Sequence, residues 1–549
     1  MHVNHHTHNA KLSVPFFLYI PMAYKTLLEF ATDEKLFILL AKERAKYLKR
    51  NDNANTHKLD KSTDIFELLD DKQNRILLSR LMPPRYKWVR PKKRKVKSNN
   101  FLAARKLAEK SLLLSYRRDL ELNIDYPYLR EFKAFVTHIR ERLLSSDLSF
   151  ESPQLVPILK DKDDDVVTCR PLSVYTNLED KIILALTSLY LTKCIDSYLH
   201  PNILSYRKAR RQAEDTYRPL DFNDGIRLIQ AFRDAHQDQN IYAADCDIKK
   251  FYDIIDHDVV RQCFKRILAK SHVTAEGQRQ VLHVLDAYLR SYNFYDNVIV
   301  GSTTQPKLFN KIKTAVHDRK GEKEYCFGWV DELRQLPVSE QRQRGVSQGG
   351  ALSLIIANVV LNDVDQPIVA SDDPERLFIR YCDDMILLHT DQSKCQALMQ
   401  AYAQSLTDHK LHYHDFKPFT DFKGFWKVKS HLPFLWGDGP VGSSNRYIGF
   451  LGYELRRDGR LRLRKSNMDR IRERFLRQVI IHHRMAGEQS EEIATQKTND
   501  TFDHLLDVLS VYTAFDKFLF LNGSQYHHLL WLRHKMSDRL GININLKRK

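Results

Sequence analysis

The sequence predicts an α+β protein in which a central domain with an antiparallel sheet, over about residues 241–465, lies between helical regions. Three observations predict it. Short β-rich runs alternate with helical patterns through the central stretch. Apolar residues before and after it recur at helical spacing. At 549 residues the chain is too long for one compact core and divides into roughly three or four domain-sized pieces.

Residues 1–115 read as a helical, increasingly basic extension. Asp33 is the expected N-cap of a helix that carries Leu36, Leu39, Leu40 and Tyr47 on one face. His2, His5, His6 and His8 are expected to belong to a frayed terminus. Between Arg85 and Lys97 eight basic residues surround Tyr86 and Trp88, a pattern that suits phosphate contact with base stacking and equally suits a solvated linker. Residues 116–240 read as helices around a hairpin, Leu155–Lys160 and Val166–Leu172, joined by the acidic turn Asp161–Asp165. Within 241–465, an unusually long polar interval separates Tyr252 from Gln348, and about 290–343 is expected to be an insertion. Residues 466–549 read as helical, opening with an apolar stripe of Met468, Ile471, Phe475 and Val479.

Lysine and arginine number 87 against 69 acidic residues, a surplus of 18 that suits a polyanionic partner such as nucleic acid. The seven cysteines include no C-x-x-C pair, which disfavours a zinc ribbon and a disulfide framework and fits a reducing compartment. The N-terminal apolar stretch Val14–Pro21 is too short and too proline-bound for a signal peptide, and no run reaches the length of a membrane span. A cytoplasmic location without a membrane partner is the expectation.

Two carboxylate clusters carry the chemistry. The run Ile241–Asp247 is an apolar strand that ends in acid and passes into a helix capped near Asp256. In Leu377–Leu388, two β-rich runs flank a turn holding adjacent aspartates, Asp383 and Asp384. Acids beside so much apolar surface are costly unless they bind metal or pair with cations. Adjacent carboxylates raise one another's cost of ionisation, so a divalent ion is the natural partner. Oxygen donors select a hard one, Mg²⁺ or Mn²⁺, and two such ions suit in-line phosphoryl transfer.

The order of signatures resembles the palm of reverse transcriptases of the group II intron type, from about Arg170 to Lys465. Asp247-Ile-Lys-Lys-Phe-Tyr-Asp-Ile-Ile-Asp-His257 is similar to the first palm motif of that family. Arg344-Gly-Val-Ser-Gln-Gly-Gly-Ala-Leu-Ser353, followed by Ala357-Asn358, looks like its Gly-x-x-Gln-Gly-Gly segment. Arg380-Tyr-Cys-Asp-Asp384 resembles the Tyr-x-Asp-Asp turn, and Tyr447-Ile-Gly-Phe-Leu-Gly-Tyr453 the primer-grip hairpin. Arg170-Pro-Leu and Ser205-Tyr-Arg207 are similar to fingers motifs.

The resemblance implies a right-hand polymerase fold: fingers at 116–240, palm at 241–465, and a helical thumb and tail at 466–549. Asp247, Asp383 and Asp384 would be the catalytic metal ligands for two Mg²⁺ ions, with the Ile248 carbonyl as a further ligand. Tyr252 would reject a 2′-hydroxyl and so favour dNTPs. Arg170 and Lys160 would clamp the triphosphate, with Lys162 competing for the role of Lys160. Gln348 and Gly349 would lie under the nascent base pair, and Lys417 would either protonate pyrophosphate or sit on the surface. Asp245, on the same strand face as Asp247, would tune the metal site or form a salt bridge. Phe450, Leu451 and Gly452 would place the primer end, and Arg456, Arg457, Arg462 and Arg464 would follow the duplex backbone.

Val346-Ser347 and Leu354 depart from the family's usual Thr-Pro and Pro, which affects template contacts rather than metal chemistry. The chain after the expected thumb is short for an RNase H domain, and the missing C-x-x-C pairs disfavour an HNH nuclease. That architecture is most like the free-standing bacterial abortive-infection and defence-associated enzymes. A group II intron-derived, diversity-generating or CRISPR-associated enzyme is the alternative, as are an RNA-dependent RNA polymerase and a silent RNA-binding scaffold. The expected partners are an RNA template (a dedicated non-coding RNA among the candidates), a DNA product, dNTPs, and a second copy or a partner protein. None of the 25 tyrosines stands out as a protein primer.

Overall fold

The computed structural model describes residues 24–52, 72–91, 101–162, 166–208, 210–211, 217–218, 220–301, 324–327, 329–419, 422–440, 442–464 and 467. The N-terminal histidines, the basic run from Lys92 to Lys97, the middle of the insertion, Lys465 and the expected thumb and tail beyond Asn467 lie outside them.

The N-terminal region is built from helices α1 (Asp33–Asp52), α2 (Lys72–Arg80) and α3 (Phe101–Glu121). The first cap falls one residue earlier than the sequence suggests. Thr32 accepts the Leu36 N–H on its carbonyl and the Lys35 N–H on its hydroxyl, which places Asp33 in the first turn, ion-paired to Arg140 at 2.7 Å. Phe37 stacks on Tyr116 of α3, and the extension shares one large core with residues from Tyr128 to Leu411.

Helix α4 (Pro127–Leu144) leads to the hairpin of β1 (Gln154–Lys162) and β2 (Val166–Val174), and then to α5 (Leu178–Ile195). The β1–β2 register shifts between Leu159 and Asp161, which makes Lys160 the irregular position of the pair. The side chains of Lys160 and Lys162 lie outside the described residues. Helix α6 (Phe222–Ala235) precedes β3 (Tyr242–Cys246), and Asp256 caps α7 (His257–Lys270) as expected, accepting the Asp258 and Val259 N–H groups. After α8 (Ala275–Arg290), the described part of the insertion is not a detached loop. Its strand β4 (Glu324–Cys326) adds in parallel to β2. Tyr292, Phe294, Val298, Phe327 and Trp329 form a small core with Leu155 and Ile254.

Helix α9 (Ser353–Val364) is apolar around most of its circumference and correspondingly buried. Next come β5 (Arg376–Tyr381), β6 (Asp384–His389), α10 (Gln392–Asp408), β7 (His431–Trp436) and β8 (Ser444–Asn445). The central sheet runs β8-β7-β3-β6-β5, with β3 antiparallel to both β6 and β7. Alternation decides its faces. Ala244, Cys246, Phe378, Met385 and Leu387 face the large helical core. Ala243, Leu377, Ile379, Ile386 and Leu388 face a second core, shared with the meander β9 (Tyr447–Phe450), β10 (Tyr453–Arg456) and β11 (Leu461–Leu463). Among the described residues no helix is long and apolar enough to cross a membrane.

Candidate active site

The acids meet because of strand register. Cys246 at the end of β3 pairs with Met385 of β6, so the next residues outward are Asp247 and Asp384. Tyr381 pairs directly with Asp384, which makes Cys382-Asp383 a two-residue turn. Both sides of this edge open on a cavity of about 620 Å³ lined by Asp245, Asp247, Asp384, Trp426, Lys429 and the Gly449–Gly452 hairpin.

Electrostatics marks the spot. Burial, then Asp383, Asp247 and Asp245 in that order, push the Asp384 carboxyl up to about 7, and Arg464 opposes them. Asp384 itself opens to the cavity, so the desolvation comes from protein mass around the cleft rather than from a sealed side chain. Asp383 is also raised, by burial first and by Asp247, while Arg170 and Arg380 pull it back. Two carboxyls whose proton affinity is raised by burial and by neighbouring carboxylates fit a hard divalent cation. Ile248 points its side chain into the large core, and its backbone pairs with Tyr413.

The remaining sequence-predicted residues assemble around this edge to different extents. Tyr252, half-buried, lies in the field of Cys382 and Asp383, and its carbonyl accepts the Val346 N–H at 2.8 Å. Gln348 donates Nε2 to Asp253 at 2.7 Å and its carbonyl accepts the Ser173 N–H of β2 at 2.8 Å, tying the β1–β2 hairpin to the segment after β3. Gly349 has φ +93°, and a Cβ there would stand 2.7 Å from Leu172 Cδ1. At Gly350 a Cβ would strike the Tyr288 hydroxyl, which is itself bonded to Ser347 and Ser353. The paired glycines thus let the backbone pass where no side chain fits. Arg170 is exposed, and its charge reaches Asp383.

Lys417 is exposed, with its backbone bridged to β7. The basic side chains beside Asp247 are instead Lys429, at 3.7 Å, and His414, at 3.8 Å. Sequence reasoning missed both, and also missed His431. That imidazole accounts for Asp245, bonding its carboxylate through Nδ1 at 2.8 Å.

The hairpin Phe450–Tyr453 turns through Leu451 (φ +50°) and Gly452 (φ +86°), the dihedral pattern of a type I′ turn. Phe450, Leu451 and Gly452 line the cavity opposite Asp384. The Trp426 ring packs against Gly449, leaving no room for a Cβ, and the Arg464 guanidinium stands 4.5 Å over that ring. The other arginines divide. Arg456 pairs with Asp458, and Arg462 pairs with Glu454 and covers Tyr447. Arg457 donates Nη2 to the carbonyls of His236, Gln237 and Gln239, just past the end of α6, which ties this arginine to the fold.

A second set of metal-type donors, Cys263, Asp363 and His409, is already compensated by Arg266, which bonds Asp363 Oδ2 at 2.7 Å and Cys263 Sγ at 3.2 Å.

Residues 333–455 match the family model described as reverse transcriptase (RNA-dependent DNA polymerase). The match includes Gln348, Asp383, Asp384 and the Phe450–Tyr453 turn and stops short of Asp247. No curated protein matches the chain. Among solved structures, apo telomerase from Candida tropicalis aligns at 10% identity over 94% of this chain and 92% of that one, with a TM-score of 0.35. Telomerase from Candida albicans in complex with a TWJ fragment of telomeric RNA aligns at 11% identity over 82% and 70%, with a TM-score of 0.32. The matched domain makes the chain an RNA-directed DNA polymerase.

Proposed function

We propose that this polymerase is a metal-dependent enzyme that extends a 3′-hydroxyl with dNTPs on an RNA template. The convergence of Asp247, Asp383 and Asp384 on one sheet edge, with Asp384 raised to about 7, carries the reading. These three residues would hold the Mg²⁺ ions, or Mn²⁺ in their place. Bound there, the ions supply Lewis-acid stabilisation of the attacking and leaving oxygens. The chain's own groups do the rest. Arg170 brings positive charge toward the triphosphate, Gln348 and Gly349 form the floor joining fingers to palm, and Leu451-Gly452 seats the primer end. Lys429 and His414, beside Asp247, are better placed than Lys417 to hold a proton near the leaving group. Tyr252 beside Asp383 supports deoxynucleotide selection over an RNA-polymerising role.

We assign the enzyme, on motif spelling and the sequence architecture, to cytoplasmic bacterial anti-phage defence, acting on a dedicated RNA. The test is primer extension by the purified chain on RNA with each nucleotide set, with and without chelator, alongside sequencing of co-purified RNA. Metal-dependent dNTP addition is expected. Chelator-insensitive extension, or preference for ribonucleotides, overturns the chemistry. Unchanged phage sensitivity in cells expressing the intact gene overturns the biology.

A further inference from the structure

We propose that Arg380 and Ser205 are positioning residues that hold the Cys382 peptide, and through it the Asp383 carboxylate, in its working orientation. Cys382 has φ +57°, the first central position of the Tyr381–Asp384 turn, while Asp383 does not share the positive φ. That is the pattern of a type II′ turn, whose first position is ordinarily glycine. A β-carbon at positive φ in this position is strained. Rotation of the 382–383 peptide is the low-cost escape, and it would re-aim Asp383.

The fold blocks that escape from both sides. The Cys382 N–H donates to Ser205 Oγ at 2.9 Å, and the Cys382 carbonyl accepts Arg380 Nη1 at 2.9 Å. Ser205 is fixed in turn, its carbonyl accepting Asn358 Nδ2 of α9 at 2.9 Å. Arg380 donates Nε to Asp365 Oδ2 at 2.8 Å, and its backbone is bonded to Asn202 and Leu204. Arg380 and Asp365 are both 0% exposed. A fully buried ion pair is on balance no more stabilising than apolar packing, so stability alone does not explain its presence. Geometry does: a guanidinium fork makes two bonds in diverging directions, to Asp365 and to the turn, which a lysine ammonium cannot reproduce. Three separate stretches, around Ser205, Asn358 and Asp365–Arg380, thereby converge on the residue that precedes the metal aspartate.

This rests on the metal-site reading above, and the experiment separates the two. Full-length Arg380→Lys, Ser205→Ala, their double variant and Asp383→Ala are compared by single-turnover extension, Mg²⁺ titration and thermal melting. Arg380→Lys is expected to lower kcat by about 10–10²-fold, the scale of an ångström-level misplacement. Its Mg²⁺ midpoint should rise severalfold while dNTP and primer KM stay within about twofold. Ser205→Ala should shift the same quantities less, and the double variant should lose less than the product of the singles, because both act on one peptide. Ser205→Ala removes a single hydroxyl and carries the test if Arg380→Lys does not fold. Folded variants with unchanged kcat and Mg²⁺ midpoint overturn the inference while Asp383→Ala is inactive. An active Asp383→Ala overturns the metal reading itself.

Discussion

Two tight turns face each other across the cavity, and they are built on different plans. The Tyr381–Asp384 turn places a cysteine where glycine is usual and restrains it by a side chain from elsewhere in the chain, Ser205, and by Arg380 of its own entering strand, itself anchored on Asp365. The Phe450–Tyr453 turn also tolerates a non-glycine, Leu451, but gives its second position to Gly452. Among the described residues its carbonyl is bonded from just downstream, by the Arg464 N–H at 3.0 Å and Asn467 Nδ2 at 3.2 Å. One turn is over-determined by distant contacts, and the other is a locally closed hairpin. The difference suits the proposed roles: an aspartate that holds a metal would tolerate little displacement, whereas a primer end would shift by one nucleotide at every cycle.

The comparison breaks if the two turns respond alike. Asp383→Ala is expected to lower kcat by about 10³-fold or more, the several kcal/mol that metal stabilisation contributes. Leu451→Ala should mainly raise primer KM, by about tenfold or less, with kcat nearly kept. Equal kcat losses in steady-state assays would show that both turns serve the chemical step. Tyr252→Ala, at the proposed sugar gate, should raise ribonucleotide use relative to dNTP by about tenfold, read from competitive incorporation.

The raised Asp384 sharpens the contrast through pH. A carboxyl lifted from its usual 3.8 to about 7 binds its proton more tightly in the folded chain than in the unfolded one. Its contribution to metal-free stability is therefore greatest below 3.8 and is lost as pH rises through about 7. Mg²⁺ must displace that proton, so apparent Mg²⁺ affinity should weaken by about tenfold between pH 8 and pH 6. The thermal shift caused by Mg²⁺ should be larger at about pH 8 than at about pH 6, and a pH-independent shift would remove Asp384 from the site.

The smallest expected effect separates neighbouring arginines. Arg464→Ala should weaken nucleic-acid binding a few-fold and reduce the salt slope by about one. Arg457→Ala should lower stability by about 1–3 kcal/mol through its lost bonds to the carbonyls that follow α6 and leave that slope unchanged.

These outcomes track how legible each part was. The acids, the paired glycines and the Leu451-Gly452 turn are local patterns, readable because a strand end, a positive φ or a tight hairpin restricts the residues that fit. Thr32 displaced Asp33 as cap because two adjacent polar residues offer the same side-chain chemistry, and only the backbone bond to Leu36 distinguishes them. Lys429 and His414 were missed because no local pattern brings them to Asp247; the fold of the 409–431 stretch does. Ser205 reaches Cys382 across 177 positions, and Asn358 reaches Ser205 across 153. Arg457 reads as one more cation in a basic run until the end of α6 is placed beside it.

Strand β4 has a consequence for how the chain is made. Val166 of β2 pairs with Glu324, so this three-stranded sheet cannot be completed until the palm's first acid strand, β3, and helices α7 and α8 have already been synthesised. Such a long-separation pairing is slow to form because loop closure precedes its reward. On a ribosome, the nucleotide-facing hairpin would therefore stay incomplete through some 150 residues of elongation, the separation of its paired strands, at synthesis rates of about 5–20 residues per second. The segment that carries β4 thus orders assembly in time: the β1–β2 sheet is completed only after the first strand of the central sheet exists.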